Sequence, residues 1–110
     1  MLLRLPEDRK VFWTKHSEGK MRQYQLSKKR VLRILRKPDR KETGIAPETI
    51  AVMQVTGTKK YPTEAWTMYQ LIKKPRQTKI ISAWRYPGRS PLGKLPPIPE
   101  DTLEELEKLR

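Results

Sequence analysis

The sequence predicts an α+β fold in the order β-α-α-β-β-β, with the helices packed on one face of a small antiparallel sheet. Three observations lead there. Ser27 precedes a stretch, Lys28 to Arg36, in which Val31, Leu32, Ile34 and Leu35 form one apolar helical face, and Pro38 stops it. Three runs rich in β-branched and aromatic residues follow, joined by connections short enough for hairpins. The chain then changes character, first to a proline-rich stretch and then to an acidic end.

In chain order, Val11-Phe12-Trp13-Thr14 reads as a short strand or extended lead-in. His16 to Gln25 reads as a helix, weakened by Gly19 inside it. The second helix spans Lys28 to Arg36. Asp39 to Glu48, with Gly44 and Pro47, is expected as a polar loop. Thr49 to Thr56 is apolar on both faces and suits a central strand, and Glu64 to Ile72 and Lys79 to Tyr86 follow it. In the last of these, Ile80, Ser82, Trp84 and Tyr86 are expected on one face, and Ile81, Ala83 and Arg85 on the other. Ser90 to Pro99 holds four prolines and reads as an extended linker. Glu100 opens a final helix with acids at the favourable end of its dipole and a thin stripe of Leu103, Leu106 and Leu109. The expected organisation is a basic α+β domain over residues 1–89, a linker over 90–99 and an acidic helix over 100–110. A chain of 110 residues is expected to bury one modest core rather than two.

Charge is the strongest functional signal. The chain carries 25 Lys and Arg against 12 Asp and Glu, a net of +13. Residues 100–110 hold five acids against two cations, so residues 1–99 carry +16. An excess of this size points to a polyanionic partner, most simply a phosphate backbone. The acidic end has the opposite sign and is expected either to fold back on the basic surface or to meet a partner. The absence of Cys excludes disulfides, thiolate metal sites and a Cys nucleophile. One His and seven scattered carboxylates outside the acidic end make zinc and magnesium sites poor fits, so no cofactor is expected. No apolar run approaches a membrane span, and Met1 to Asp8 is too short and too soon acidic for a signal peptide. The expected address is the cytoplasm.

Four places could carry chemistry or hold a nucleic acid. His16, Lys20 and Tyr24 fall at i, i+4 and i+8, along one face of the first helix. His suits proton transfer, Lys a phosphate, and Tyr a stacked base, although the same residues could simply cap and pack. Lys28, Lys29 and Arg30 put three cations at a helix N-terminus, against the macrodipole, a conflict that a bound phosphate would remove. Arg85 near a strand end, with Tyr69 on the neighbouring strand and Tyr86 beside it, could face a groove. The hairpin tips, Lys59-Lys60-Tyr61 and Lys73-Lys74-Pro75-Arg76, interleave cations with an aromatic, a nucleic-acid cue.

The motif His16-x3-Lys20-Met21-x2-Tyr24-x-Leu26-Ser27-x3-Val31-x2-Ile34-Leu35-x2-Pro38, followed by three strands, resembles the RelE and BrnT toxins of the barnase and colicin-like ribonuclease group. The resemblance covers roughly residues 10–87. It implies an α+β fold with a sheet face that accepts RNA, and it carries His16 over as the helix histidine. Lys20 and Tyr24 stand where that group usually has Arg, and the second of these loses a charge. The function expected is an RNA-directed toxin-like domain. As an enzyme it would be a metal-independent endoribonuclease acting through the 2′-OH, with His16 as acid and base, Lys20 and Arg85 on the phosphorane, and Tyr24 or Tyr69 on a base. The alternative is a non-catalytic RNA- or DNA-binding, ribosome-associated module. An acidic protein partner such as an antitoxin could cover the basic face, and the chain lacks the basic amphipathic helix with exposed aromatics that a membrane surface would require.

Overall fold

The computed structural model describes residues 10–43 and 45–109. Residues 1–9, which include the segment read above as no signal peptide, Gly44 of the polar loop and Arg110 at the acidic end lie outside the described residues. The elements are β1 (Lys10–Trp13), α1 (Lys15–Tyr24), α2 (Lys28–Arg36), β2 (Arg40–Thr43), β3 (Thr49–Gly57), β4 (Pro62–Ile72), β5 (Gln77–Pro87) and α3 (Glu100–Glu107). Among them no helix is long and apolar enough to cross a membrane.

The expected α+β class and element order are present, on a five-stranded sheet of order β1-β5-β4-β3-β2. The sheet is mixed: β2 to β5 pair antiparallel through their hairpins, while β1 lies parallel to β5 with Lys10 opposite Gln77. β2 occupies part of the segment expected as a loop. It is a short charged edge strand, and a strand of Arg, Lys, Glu and Thr has no apolar alternation to reveal it. β1 stops pairing at Ile80. There the Thr14 hydroxyl donates to the Ile80 carbonyl at 2.7 Å and accepts from the Ser17 amide at 3.0 Å, so one side chain ends a strand and caps a helix. α1 then packs along the rest of β5 and closes that edge.

α1 and α2 cover one sheet face. Met21, Leu26, Val31, Ile34 and Leu35 pack on Val52, Ala65, Tyr69, Ile80 and Ala83. The opposite face is equally apolar: Ala51, Met53, Trp66, Met68, Ile81 and Trp84 form a second core, closed by Leu106 of α3 and by Ile98 of the proline-rich stretch. The expectation of a single core fails because the central strands are apolar on both sides and the chain past residue 89 supplies the second cover. The acidic helix folds back on the body. A β-bulge also corrects the expected faces of β5. Met68 pairs with Ser82 but Tyr69 pairs with Ile80, so Ile81 is the extra residue. Ile80 therefore joins Ala83 on the helix side, and Ile81 joins the tryptophans.

A buried polar cluster holds the proline-rich stretch in place. The Glu64 side chain has no exposure, and its carboxylate accepts from Trp66 Nε1 at 3.0 Å, Ser90 Oγ at 2.6 Å and the Ser90 amide at 3.0 Å. Arg89 Nε lies 3.5 Å away. Arg40 donates to Ser90 Oγ at 2.9 Å and to the Lys94 carbonyl at 3.1 Å, and its guanidinium lies over the Trp66 ring. Trp66 stacks in turn on Trp84, its cross-strand partner, with centroids 5.9 Å apart. Burial pushes the Glu64 carboxyl upward, but the hydrogen bonds from Ser90, Trp66 and Arg89 outweigh it and hold the group below the usual glutamate value.

Two stability outcomes are expected. The folded protein holds the Glu64 proton less tightly than the unfolded chain does. The contribution of this group is therefore complete above about pH 5 and is lost as pH falls through the folded value. Glu64→Gln should cost about 2–3 kcal/mol at pH 7 and should flatten the acid limb of the stability curve, read by denaturant unfolding from pH 7 to pH 3. Gly19 sits inside α1, and a methyl group there would meet only the Arg22 side chain, at 4.0 Å. Gly19→Ala should therefore raise stability by about 0.5–1 kcal/mol in the same measurement.

Candidate nucleic-acid interface

The face of α1 predicted to carry chemistry does bring His16, Lys20 and Tyr24 together, against the first turn of α3. Lys20 is only 5% exposed. Its ammonium donates to both carboxylate oxygens of Asp101, each at 3.0 Å, and lies 5.0 Å from the centre of the Tyr24 ring. His16 Nε2 is 3.2 Å from Thr102 Oγ1, which is itself 2.8 Å from the buried Ser82 hydroxyl. Burial raises the Asp101 carboxyl, but the Lys20 ammonium and the nearby His16 more than offset this, so Asp101 stays below the usual aspartate value. Asp101, Thr102 and Ser82 escape sequence reading because nothing in their spacing ties them to a helix more than sixty residues away.

The remaining candidates of this group lie elsewhere. Arg85 Nε donates to the Tyr24 carbonyl at 2.9 Å, and its guanidinium also reaches the Gln25 carbonyl at 3.5 Å. These are carbonyls left open at the end of α1, so Arg85 caps that helix and places its charge at the favourable dipole end. Tyr69 is buried in the core beneath the helices, where burial raises its phenol, and it cannot meet a base there. Tyr86 is half-buried against the tryptophan core.

α2 presents the broadest cationic surface. Ser27 caps it by accepting from the Arg30 amide at 3.0 Å, and its first turn contains no acid. Lys28 lies over the Trp13 ring and 3.9 Å from Glu18. Val31, Ile34 and Leu35 face the core, while Lys29, Arg33, Arg36 and Lys37 are exposed at i, i+4, i+7 and i+8. Arg30, between them, is half-buried. Sequence reading stressed the first three cations and passed over Arg33, Arg36 and Lys37, although the helical period already placed them opposite the apolar face.

The two hairpin tips do not form one patch with each other. Gln54 of β3 donates to the Lys37 carbonyl at 3.0 Å, which docks the end of α2 a few residues from the β3–β4 turn. That turn exposes Lys59, Lys60 and Tyr61, with the Lys60 ammonium 5.6 Å from the Tyr61 ring centre. Lys73, Lys74 and Arg76 are exposed at the other end of β4, which has 11 residues. A strand of that length puts the two tips roughly 33 Å apart.

Comparison of the chain with protein-family models, with curated proteins and with solved structures finds no match. Arg85→Ala should cost about 1–2 kcal/mol of stability through the lost cap, measured by thermal unfolding.

Proposed function

We propose that this protein is an RNA-binding domain that holds the phosphate backbone along the solvent face of α2, with the Lys59–Tyr61 turn beside it. The observation that carries the reading is the exposed row of Lys29, Arg33, Arg36 and Lys37 on a helix whose apolar side is committed to the core. Such a row lies over a rigid base and has no carboxylate on its own helix to neutralise it. A phosphate backbone supplies the matching charge and releases counterions on binding. Tyr61 is 70% exposed at a protruding tip, which suits stacking on an unpaired base and favours single-stranded RNA over duplex. A membrane surface fits less well, because α2 has no free apolar side to insert.

Binding without cleavage is the form of this reading that the geometry favours. Cleavage through the 2′-OH would need His16 and Lys20 at the substrate, and with the first turn of α3 in place both are engaged by Asp101 and Thr102.

The test is a titration of single-stranded RNA across a range of salt concentrations. Replacing Lys29, Arg33 and Arg36 together by Ala should weaken binding and lower the slope of log K against log salt by about 2, the share of three phosphate contacts on a single strand. The equivalent triple replacement of Lys73, Lys74 and Arg76 should change the slope less. A salt slope that is unaltered by the α2 replacement would sink the proposal.

A further inference from the structure

We propose that the first turn of α3 is an internal stand-in for an RNA phosphate, and that it keeps closed a second backbone-binding site built from His16, Lys20 and Ser82. The inference rests on the RNA-binding reading above and adds a regulated contact to it.

The chemistry under α3 is that of an anion site. The Lys20 ammonium is nine-tenths buried and aims at two carboxylate oxygens at equal distances of 3.0 Å. The two non-bridging oxygens of a phosphodiester present the same pair of acceptors to an ammonium. Beside them, the Thr102 hydroxyl lies between His16 Nε2 and Ser82 Oγ, at 3.2 and 2.8 Å. Exchanging Asp101 and Thr102 for a phosphate would leave an ammonium, an imidazole and a hydroxyl facing it, all able to donate. The Tyr24 ring forms one wall against the ammonium. These groups come from α1 and β5, which pack on each other.

The cover itself is built to give way. α3 has eight residues, too few to be stable as an isolated helix, and its N-cap is Pro99, which makes no side-chain cap hydrogen bond. The proline-rich stretch before it is fixed at Ser90 and Lys94, and Leu106 fixes the helix further on. The turn at Glu100 to Thr102 lies between Ile98 and Leu106, both packed on the tryptophan core, so the two ends of the segment stay held when the turn opens and the cost of opening is the exposure of Thr102. The Asp101 side chain is 49% exposed while that of Lys20 is 6% exposed, so the carboxylate is the part that solvent, or a competing phosphate, reaches first. The acidic end also has the opposite sign to the rest of the chain, as a segment that competes with RNA for the same cations requires.

The chain contains one His, so its imidazole gives a single, assignable NMR signal from inside the proposed site. Adding single-stranded RNA to the wild-type protein should shift the His16 ring resonances along with the amides of α2. Asp101→Asn keeps the size of the side chain and removes its charge. It should bind RNA about three- to tenfold more tightly and steepen the salt slope by about 0.7, one further phosphate on a single strand. Adding Lys20→Met to that variant should abolish the gain. Glu104→Gln, which removes an exposed charge of the same helix, should leave the salt slope as in wild type.

The proposal is overturned if the His16 signals stay in place while those of α2 move. It is overturned equally if the gain from Asp101→Asn survives Lys20→Met, or if Glu104→Gln reproduces it. The His16 measurement on the unaltered protein decides the matter even if the variants unfold. In any of these failures, continued sensitivity to the α2 replacement keeps the RNA-binding reading standing. Loss of that sensitivity as well would remove both.

Discussion

Glu64 is a carboxylate with no access to water, placed on a β-strand between Val55 and Tyr86 of the neighbouring strands, in a chain with a large positive excess. Burying such a group without partners would cost several kcal/mol. Besides Trp66 on its own strand, the partners it finds are on the stretch that follows the last strand: Ser90 through both its hydroxyl and its amide, and Arg89 through its guanidinium. The backbone after β5 is therefore compelled to turn back over the sheet. Arg40 reinforces the turn from the opposite edge, reaching Ser90 and Lys94 while lying on Trp66. With residues 90 to 94 held there, the prolines carry the chain along the tryptophan face and bring the first turn of α3 against His16 and Lys20 of α1. The contacts of His16 and Lys20 with α3 follow from that path.

This arrangement divides the charge of the molecule by depth. Lys29, Arg33 and Arg36 of α2 and the cations of the two hairpin tips stay in water, where neither burial nor an acidic partner on their own element reduces them. Lys20 and Arg40 are buried, and each is given a carboxylate and an aromatic ring: Asp101 and Tyr24 for the first, Glu42 and Trp66 for the second. A cation held in this way stabilises its surroundings and is withdrawn from the surface field. The +16 on residues 1–99 therefore overstates what an approaching polyanion meets, and the exposed row on α2 is the better measure.

The parts of the fold legible in the sequence are those whose signal is local. Ser27, the apolar period from Val31 to Leu35 and Pro38 define α2 within a residue or two, and the hairpin strands follow from their own composition. β2 was illegible because its inward residues, Arg40 and Glu42, are charged and pair with each other, Arg40 also reaching Ser90 and Lys94. The faces of β5 were misassigned because two adjacent isoleucines suit either side, so a bulge between them leaves no trace in the pattern. Of the candidate site, the alignment of His16, Lys20 and Tyr24 was readable from helical spacing. Their engagement by Asp101 and Thr102 was not, because it depends on where the proline-rich stretch runs, and that depends on one buried glutamate. Arg85 had the composition of a site residue and the position of a cap, and only the geometry separates the two.

The parallel pairing of β1 with β5 has a consequence for how the molecule assembles. Lys10 sits opposite Gln77, so the first strand has no neighbour until the last hairpin has been made. During synthesis β1 must wait while most of the chain emerges, and α1, which continues from it along β5, waits with it. The β2–β5 meander can form earlier from contacts close in sequence, and the N-terminal strand and α3 are then added to its two open sides. Closing a contact across that span is slow compared with closing a hairpin. The order of assembly thus runs from the middle of the chain outward, and the tryptophan face stays exposed until its final step.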